Sequence, residues 1–168
     1  MIQTKKIFKD QRGTMSLTML VVMIIIFIGM ALVVDVCYVT YSYMYIKTQM
    51  DMSNRAVYKD LDLDKLAERK IYINETAGES TFYNNLKKNL NLDSSYTPTG
   101  DCQIRIVGEV KVKSFEIYNE DELPVTSATG TYLDKIAVSS QLEVKIRPIF
   151  VWFKDVTIRP YIDTYIPY

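Results

Sequence analysis

The sequence contains no histidine. The side chain that most often serves as general base and metal ligand is therefore missing, and every nucleophile–histidine arrangement is excluded. Cysteine is scarce: only Cys37 and Cys102 are present. Their separation fits neither a CxxC nor a zinc-ligand spacing, so they read as two unrelated thiols or as one disulfide in an oxidising compartment. Charge of one sign is not in excess, because twenty basic and twenty acidic residues give a formal net charge of zero. A nucleic-acid binder needs a basic surplus to displace counterions, so no nucleic-acid partner is expected. Neither GxxxxGK[ST] nor GxGxxG occurs, which removes the usual phosphate cradles. The chain does not read as an enzyme, and no cofactor, metal or small-molecule substrate is expected.

What stands out is one long stretch without charge, residues 14–34, "TMSLTMLVVMIIIFIGMALVV". As a helix it spans about 31 Å at about 1.5 Å per residue, which matches a bilayer hydrocarbon core of about 30 Å. A secretory signal is shorter and ends at an A-x-A-like cleavage site, and "ALVVDVCYV" offers none. A buried core helix would have to be wrapped on all sides by a small domain. The stretch therefore reads as a transmembrane helix with the lipid bilayer as its partner. Lys5, Lys6, Lys9 and Arg12 precede it, and the next basic residue is Lys47. By the positive-inside rule, residues 1–13 form a basic cytoplasmic leader and the chain beyond Asp35 is extracytoplasmic or on the cell surface. Tyr38, Tyr41, Tyr43 and Tyr45 follow at once. Their rings suit a lipid–water boundary, or pack against the exported domain.

Helical spacing continues past the boundary. Ala31, Val34, Tyr38, Tyr41, Tyr45, Thr48 and Met52 recur by threes and fours, and Ile46, Met50, Val57 and Leu61 widen the stripe. No proline or glycine interrupts residues 31–77, so the pattern predicts a helical stalk over residues 35–70, ending near Arg69. "ETAGES" then breaks the pattern, and "STFYNNLKKNLNL" predicts a short helix capped by Ser80. The period changes in the second half. Ile104, Ile106, Val110 and Val112 alternate with charged or polar residues, whereas Phe115 and Ile117 have the opposite parity. That predicts a strand with a bulge or turn near Ser114. Ile136, Val138, Leu142, Val144 and Ile146 share one parity, and a last strand pair follows Pro148, with Pro160 confined to an edge. One face of such an antiparallel sheet is apolar and needs a cover, which the stalk helix supplies. The predicted fold class is α+β, a long transmembrane-plus-stalk helix packed on a small antiparallel sheet, with residues 71–168 as the exported domain. The acidic runs "DLDLD" and "NEDEL" read as solvated faces rather than an acid–base pair or a calcium site. Asn74 in "NET" fits a glycosylation pattern that matters only in a eukaryotic secretory pathway.

The stretch from Arg12 to Ala56 carries an Arg-Gly before the apolar run (Arg12, Gly13), an Asp just past it (Asp35), and "QMDMSNRA" with Gln49, Asp51 and Ala56. In order and spacing this resembles the N-terminal region of TadE/TadG-like proteins, the minor pilin-like subunits of tight-adherence (Flp-type) pilus systems. The match covers about a quarter of the chain. It implies a pilin-like fold, and a minor subunit or assembly factor of a type IV-like pilus or related secretion apparatus. The implied partners are other pilin-like subunits and pilus assembly proteins, met through the membrane helix and stalk. It also makes the Gly13–Thr14 bond the one a prepilin peptidase would read. In processed pilins the fifth mature residue is usually glutamate; counted from Thr14 that position is Thr18. No carboxylate is then at hand to neutralise a new amine at Thr14 in an apolar setting. Retention of residues 1–13 follows, as in the uncut, membrane-retained members. A membrane-tethered binding module outside any filament is the alternative.

Overall fold

The computed structural model describes residues 11–100, 102–150 and 154–166, with side chains from residue 16 onward. Leader residues 1–10 lie outside the described residues. Helix α1 (Gln11–Ala56) is one unbroken rod. Its first half is bare. The most apolar eighteen-residue window has a mean hydropathy of 3.1 and no buried residue. Such a surface is stable only in an apolar surrounding, and the helix is long and apolar enough to span a membrane.

From Asp35 onward the same helix acquires a buried face, made by Asp35, Ser42, Ile46, Met50, Ser53 and Asn54 and continued by Val57 just past its end. The steps of three, four and seven keep these side chains on one stripe. Two of the polar members cost little, because Ser42 and Ser53 return their hydroxyl protons to the carbonyls of Tyr38 and Gln49 one turn back, each at 2.8 Å. Of the expected stripe, Tyr38 and Tyr45 do pack against the core, but Tyr41, Thr48 and Met52 do not, so the buried face is rotated from it. Tyr41 and Met52 are 51% and 54% exposed, and Ile46, Met50 and Val57, expected only to widen the stripe, lie at its centre. Apolarity misled because both faces of this helix are apolar, so spacing alone did not show which one the sheet covers.

The helix also ends sooner than Arg69. After Ala56 comes one 3-10 turn, Val57–Asp60. Leu61 is then extended, and the Asp62 side chain caps a five-residue helix, α2 (Leu63–Ala67), by accepting from the backbone N–H groups of Asp64 and Lys65. An aspartate in "DLDLD" starts a new helix better than it continues an old one. Backbone bonds from Asp62 to Tyr72 and from Asn74 to Asp60 close the excursion. Helix α3 (Glu75–Asn89) follows, capped by Asn74 rather than Ser80, with the Asn74 side-chain Oδ1 accepting from Ala77 N–H at 3.1 Å. "ETAGES" is thus helical. Gly78 is there for proximity: a Cβ on it would lie 2.8 Å from both Val57 Cγ1 and Ile117 Cδ1.

The sheet is antiparallel throughout. Its strands are β1 (Lys111–Tyr118), β4 (Ala137–Ile146), β5 (Val156–Ile158) and β6 (Tyr161–Tyr165), while β2 (Val125–Thr126) and β3 (Tyr132–Leu133) form a separate small hairpin. β4 is central. It pairs with β1 on one side, and the β1 register shifts between Val112 and Ser114, the bulge that the parity change predicts. On the other side β5 pairs with the last residues of β4 and β6 with the first. The expected last strand pair is therefore two collinear edge strands, separated where Pro160 lacks an N–H to give. Ile104 and Ile106 precede β1 rather than belong to it, and Ile106 makes one isolated bridge to Ile146. Val138, Leu142, Val144 and Ile146 point to the core with Ile46, Met50, Phe82 and Leu86. α1 and α3 together cover the sheet.

Candidate functional site

β4 runs antiparallel to α1, and polar contacts tie the two at both ends. At the far end Asn54, fully buried, donates through Nδ2 to the Val138 carbonyl and to Thr164 Oγ1, both at 3.1 Å. The hydroxyl of Thr164 donates in turn to Asp51 Oδ1 at 2.8 Å, and Asp51 Oδ2 accepts from Arg55 Nε at 2.9 Å. Tyr58 donates its phenol proton to the Thr164 carbonyl at 2.7 Å, and burial pushes its pKa well above the ordinary tyrosine value. A carbonyl can only accept, so the Val138 contact fixes which way the Asn54 amide faces. The result is a directional chain, Asn54 to Thr164 to Asp51, joining helix to sheet.

At the near end Asp35 is 3% exposed, on the first helical turn beyond the apolar half. Its Oδ1 accepts from the backbone N–H groups of Ile149 at 2.8 Å and Phe150 at 3.0 Å, whereas Oδ2 is buried without a partner. With two backbone donors on one oxygen, this side chain holds the segment after β4 against the helix. One turn later Tyr38 accepts at its phenol oxygen from Arg105 N–H, at 2.6 Å. Arg105 and Arg147 are joined by a backbone bond. The end of the sheet nearest the apolar half of α1 is thereby held as well.

Asp35 and Asn54 are nineteen residues apart in the numbering, about 28 Å along a helix. Val138 lies eight steps before Ile146, where β4 ends, about 26 Å along an extended strand, and Ile149 lies just beyond that end. The two spans are commensurate, which lets one helix hold one strand at both ends.

The positions singled out in the sequence divide between these ends. Asp35 forms the near pin and Asp51 belongs to the far one. Gln49 contributes its backbone carbonyl, which accepts from Ser53 and from Asn89 Nδ2 of α3 at 3.5 Å. Ala56 is the last residue of α1. Arg12, Gly13 and Thr14 lie on its first turn, with their side chains outside the described residues. Cys37 and Cys102 are both free thiols, one exposed and one half-buried. Of the acids of "DLDLD" and "NEDEL", Asp62 caps α2 and Glu122 accepts from Asn119 N–H as local caps, whereas Glu120 accepts from the distant Ile71 N–H. Asn54, Thr164 and Tyr58 escaped sequence reading. Only an asparagine on a helical face, in register with a buried stripe, could have signalled them.

Among the described residues no group of three or more metal-ligating side chains comes together. What the arrangement can do is mechanical, holding a small domain in one orientation on a continuous helix. Comparison of the chain with protein families, known proteins and solved structures gives no match.

Proposed function

We propose that this is a pilin-like membrane protein, a minor subunit or assembly factor of a tight-adherence pilus or related secretion apparatus. Residues 1–13 are cytoplasmic in this reading, and the domain beyond Asp35 is exported. One observation carries it: a single uninterrupted helix is bare and apolar in its first half and part of the core of an α+β domain in its second. That division of labour suits a subunit that packs by its apolar half beside similar helices and displays its domain outward. The resemblance around Arg12, Gly13, Asp35, Gln49 and Asp51 supports the same reading.

The exposed outer face of the stalk, with Tyr41, Met44 and Met52, is where a neighbouring subunit would be met. A photo-crosslinking residue at Met44 in the native host tests this. Adducts to other proteins with an N-terminal apolar helix, or to pilus assembly components, are expected. Adducts to lipid alone would replace the pilus reading with a membrane-tethered binding module. Intact-mass measurement on the same material addresses processing: the expected species keeps residues 1–13, and a dominant species starting at Thr14 would refute retention.

A further inference from the structure

The segment after β4 reads "RPIFVWFK", residues 147–154, and its described apolar residues face outward. Ile149 and Phe150 are 37% and 39% exposed. They are not exposed at random. Phe150 lines an apolar groove together with Phe27, Ile28, Ala31, Leu32 and Val34 of α1. The buried Asp35 also lines this groove, whose exposed surface is apolar and joins the domain to the bare half of the helix.

Charge completes the pattern. Arg105, Lys145, Arg147 and Lys154 flank this tip and are exposed. Arg147 is engaged by Asp155 at 3.0 Å and Lys145 acts on the same carboxylate electrostatically, whereas Arg105 and Lys154 form no ion pair among the described residues. An apolar tip inside a cationic collar is what binds the boundary between acyl chains and anionic headgroups.

We infer that Ile149 and Phe150 form a second membrane contact, a wedge seated in the bilayer interface beside the helix and held there by Asp35. The inference rests on the anchoring of α1 in the membrane and adds to it. A helix alone leaves a domain free to roll about the helix axis; two contacts fix which side faces the lipid. Asp35 is suited to the role because its Oδ1 takes the N–H groups of both wedge residues. Those groups would otherwise enter the interface unpaired, at a cost.

The test uses the full chain in vesicles of phosphatidylcholine with anionic phosphatidylglycerol, brominated at defined acyl positions. The protein has one tryptophan, so Trp152→Phe with Phe150→Trp places a single fluorophore on the wedge. Its emission should be quenched at least twofold more by shallow than by deep bromines. Phe27→Trp, also with Trp152→Phe, reports the helix itself and should be quenched by deeper bromines. Quenching at position 27 with none at position 150 would overturn the wedge and leave the anchor standing. Absence of quenching at both would overturn the anchor and the wedge with it. Asp35→Ala should at least halve quenching at position 150 and leave position 27 unchanged. Asp35→Asn should restore it, since an amide oxygen can accept both bonds. Equal quenching in all three backgrounds would refute the part assigned to Asp35.

Discussion

Asn54→Asp is the sharpest perturbation the structure offers, because it changes a donor to an acceptor with almost no change of shape. Asn54 gives two hydrogen bonds through Nδ2, to Val138 O and Thr164 Oγ1. Each contributes about 1 kcal/mol. In the variant a carboxylate oxygen would face the Val138 carbonyl at hydrogen-bond distance, with no proton between them. The site is fully buried, and a buried unpaired charge costs about 3–5 kcal/mol. The new carboxyl escapes part of that cost by taking up a proton, and it sits near Asp51, which favours protonation further. The expected loss is about 4 kcal/mol. A domain of this size shifts by about 3–4 °C per kcal/mol, so unfolding should move down by about 12–16 °C. The control is Met52→Asp, two residues away on the exposed face, where surface substitutions stay within about 0.5 kcal/mol. Thermal unfolding of the full chain in detergent, followed by tyrosine near-ultraviolet circular dichroism, reads both. Equal shifts would mean that the Asn54–Thr164–Asp51 chain does not hold helix to sheet and that the inner face has been assigned wrongly.

Three more outcomes are expected. Gly78→Val should destabilise by about 3 kcal/mol in the same assay and Gly78→Ala by less, since a new side chain must displace Val57 and Ile117; an unchanged midpoint would show that α3 can move away from β1. Asp51→Ala and Thr164→Val should couple by about 1 kcal/mol in a double-mutant cycle, as residues in one hydrogen-bonded chain do, and strict additivity would break the chain. Burial raises the Tyr58 pKa in the folded protein, so unfolded chains release that proton from about pH 10 while folded ones keep it. Stability is then fully present below pH 10 and declines as pH rises further; Tyr58→Phe should flatten that decline, and an identical alkaline profile would exclude Tyr58 as its source.

Much of the architecture was legible because it rests on long, regular patterns. The uncharged run of residues 14–34 needed only its length, and the single parity of Val138, Leu142, Val144 and Ile146 marked β4. The parity change around Ser114 located the bulge in β1. What escaped was set by tertiary choice. The stalk is apolar on two faces, and only the sheet's position decides that Met50 is inside and Met52 outside. Gly78 resembles a helix breaker in sequence, but its role depends on Val57 and Ile117, far from it in the chain. Of the candidate site, the sequence showed Asp35 and Asp51 as conspicuous acids but not what they hold. Backbone N–H groups more than a hundred positions away leave no trace in local pattern.

The two pins bear on how the domain is carried. No glycine or proline lies between Met30 and Ala56, so α1 has no cheap place to bend as it leaves the apolar half. Asp35 and Tyr38 hold the near end of the sheet, and Asp51, Asn54 and Tyr58 the far end, so the domain cannot pivot without breaking these hydrogen bonds. A receptor on a tether gains reach from a flexible linker, and its orientation matters little. A subunit packed among others needs the reverse, because its displayed surface must sit at a set angle to the helices that pack in the membrane. Rigidity at this junction is therefore an argument for the structural reading over the tethered one. It also makes a prediction: Gly-Gly-Ser inserted after Val36 should leave the domain folded and the membrane segment inserted. The same insertion should abolish the protein's contribution to assembly in its host, measured as complementation of a deletion strain. A functional insertion mutant would favour the tether.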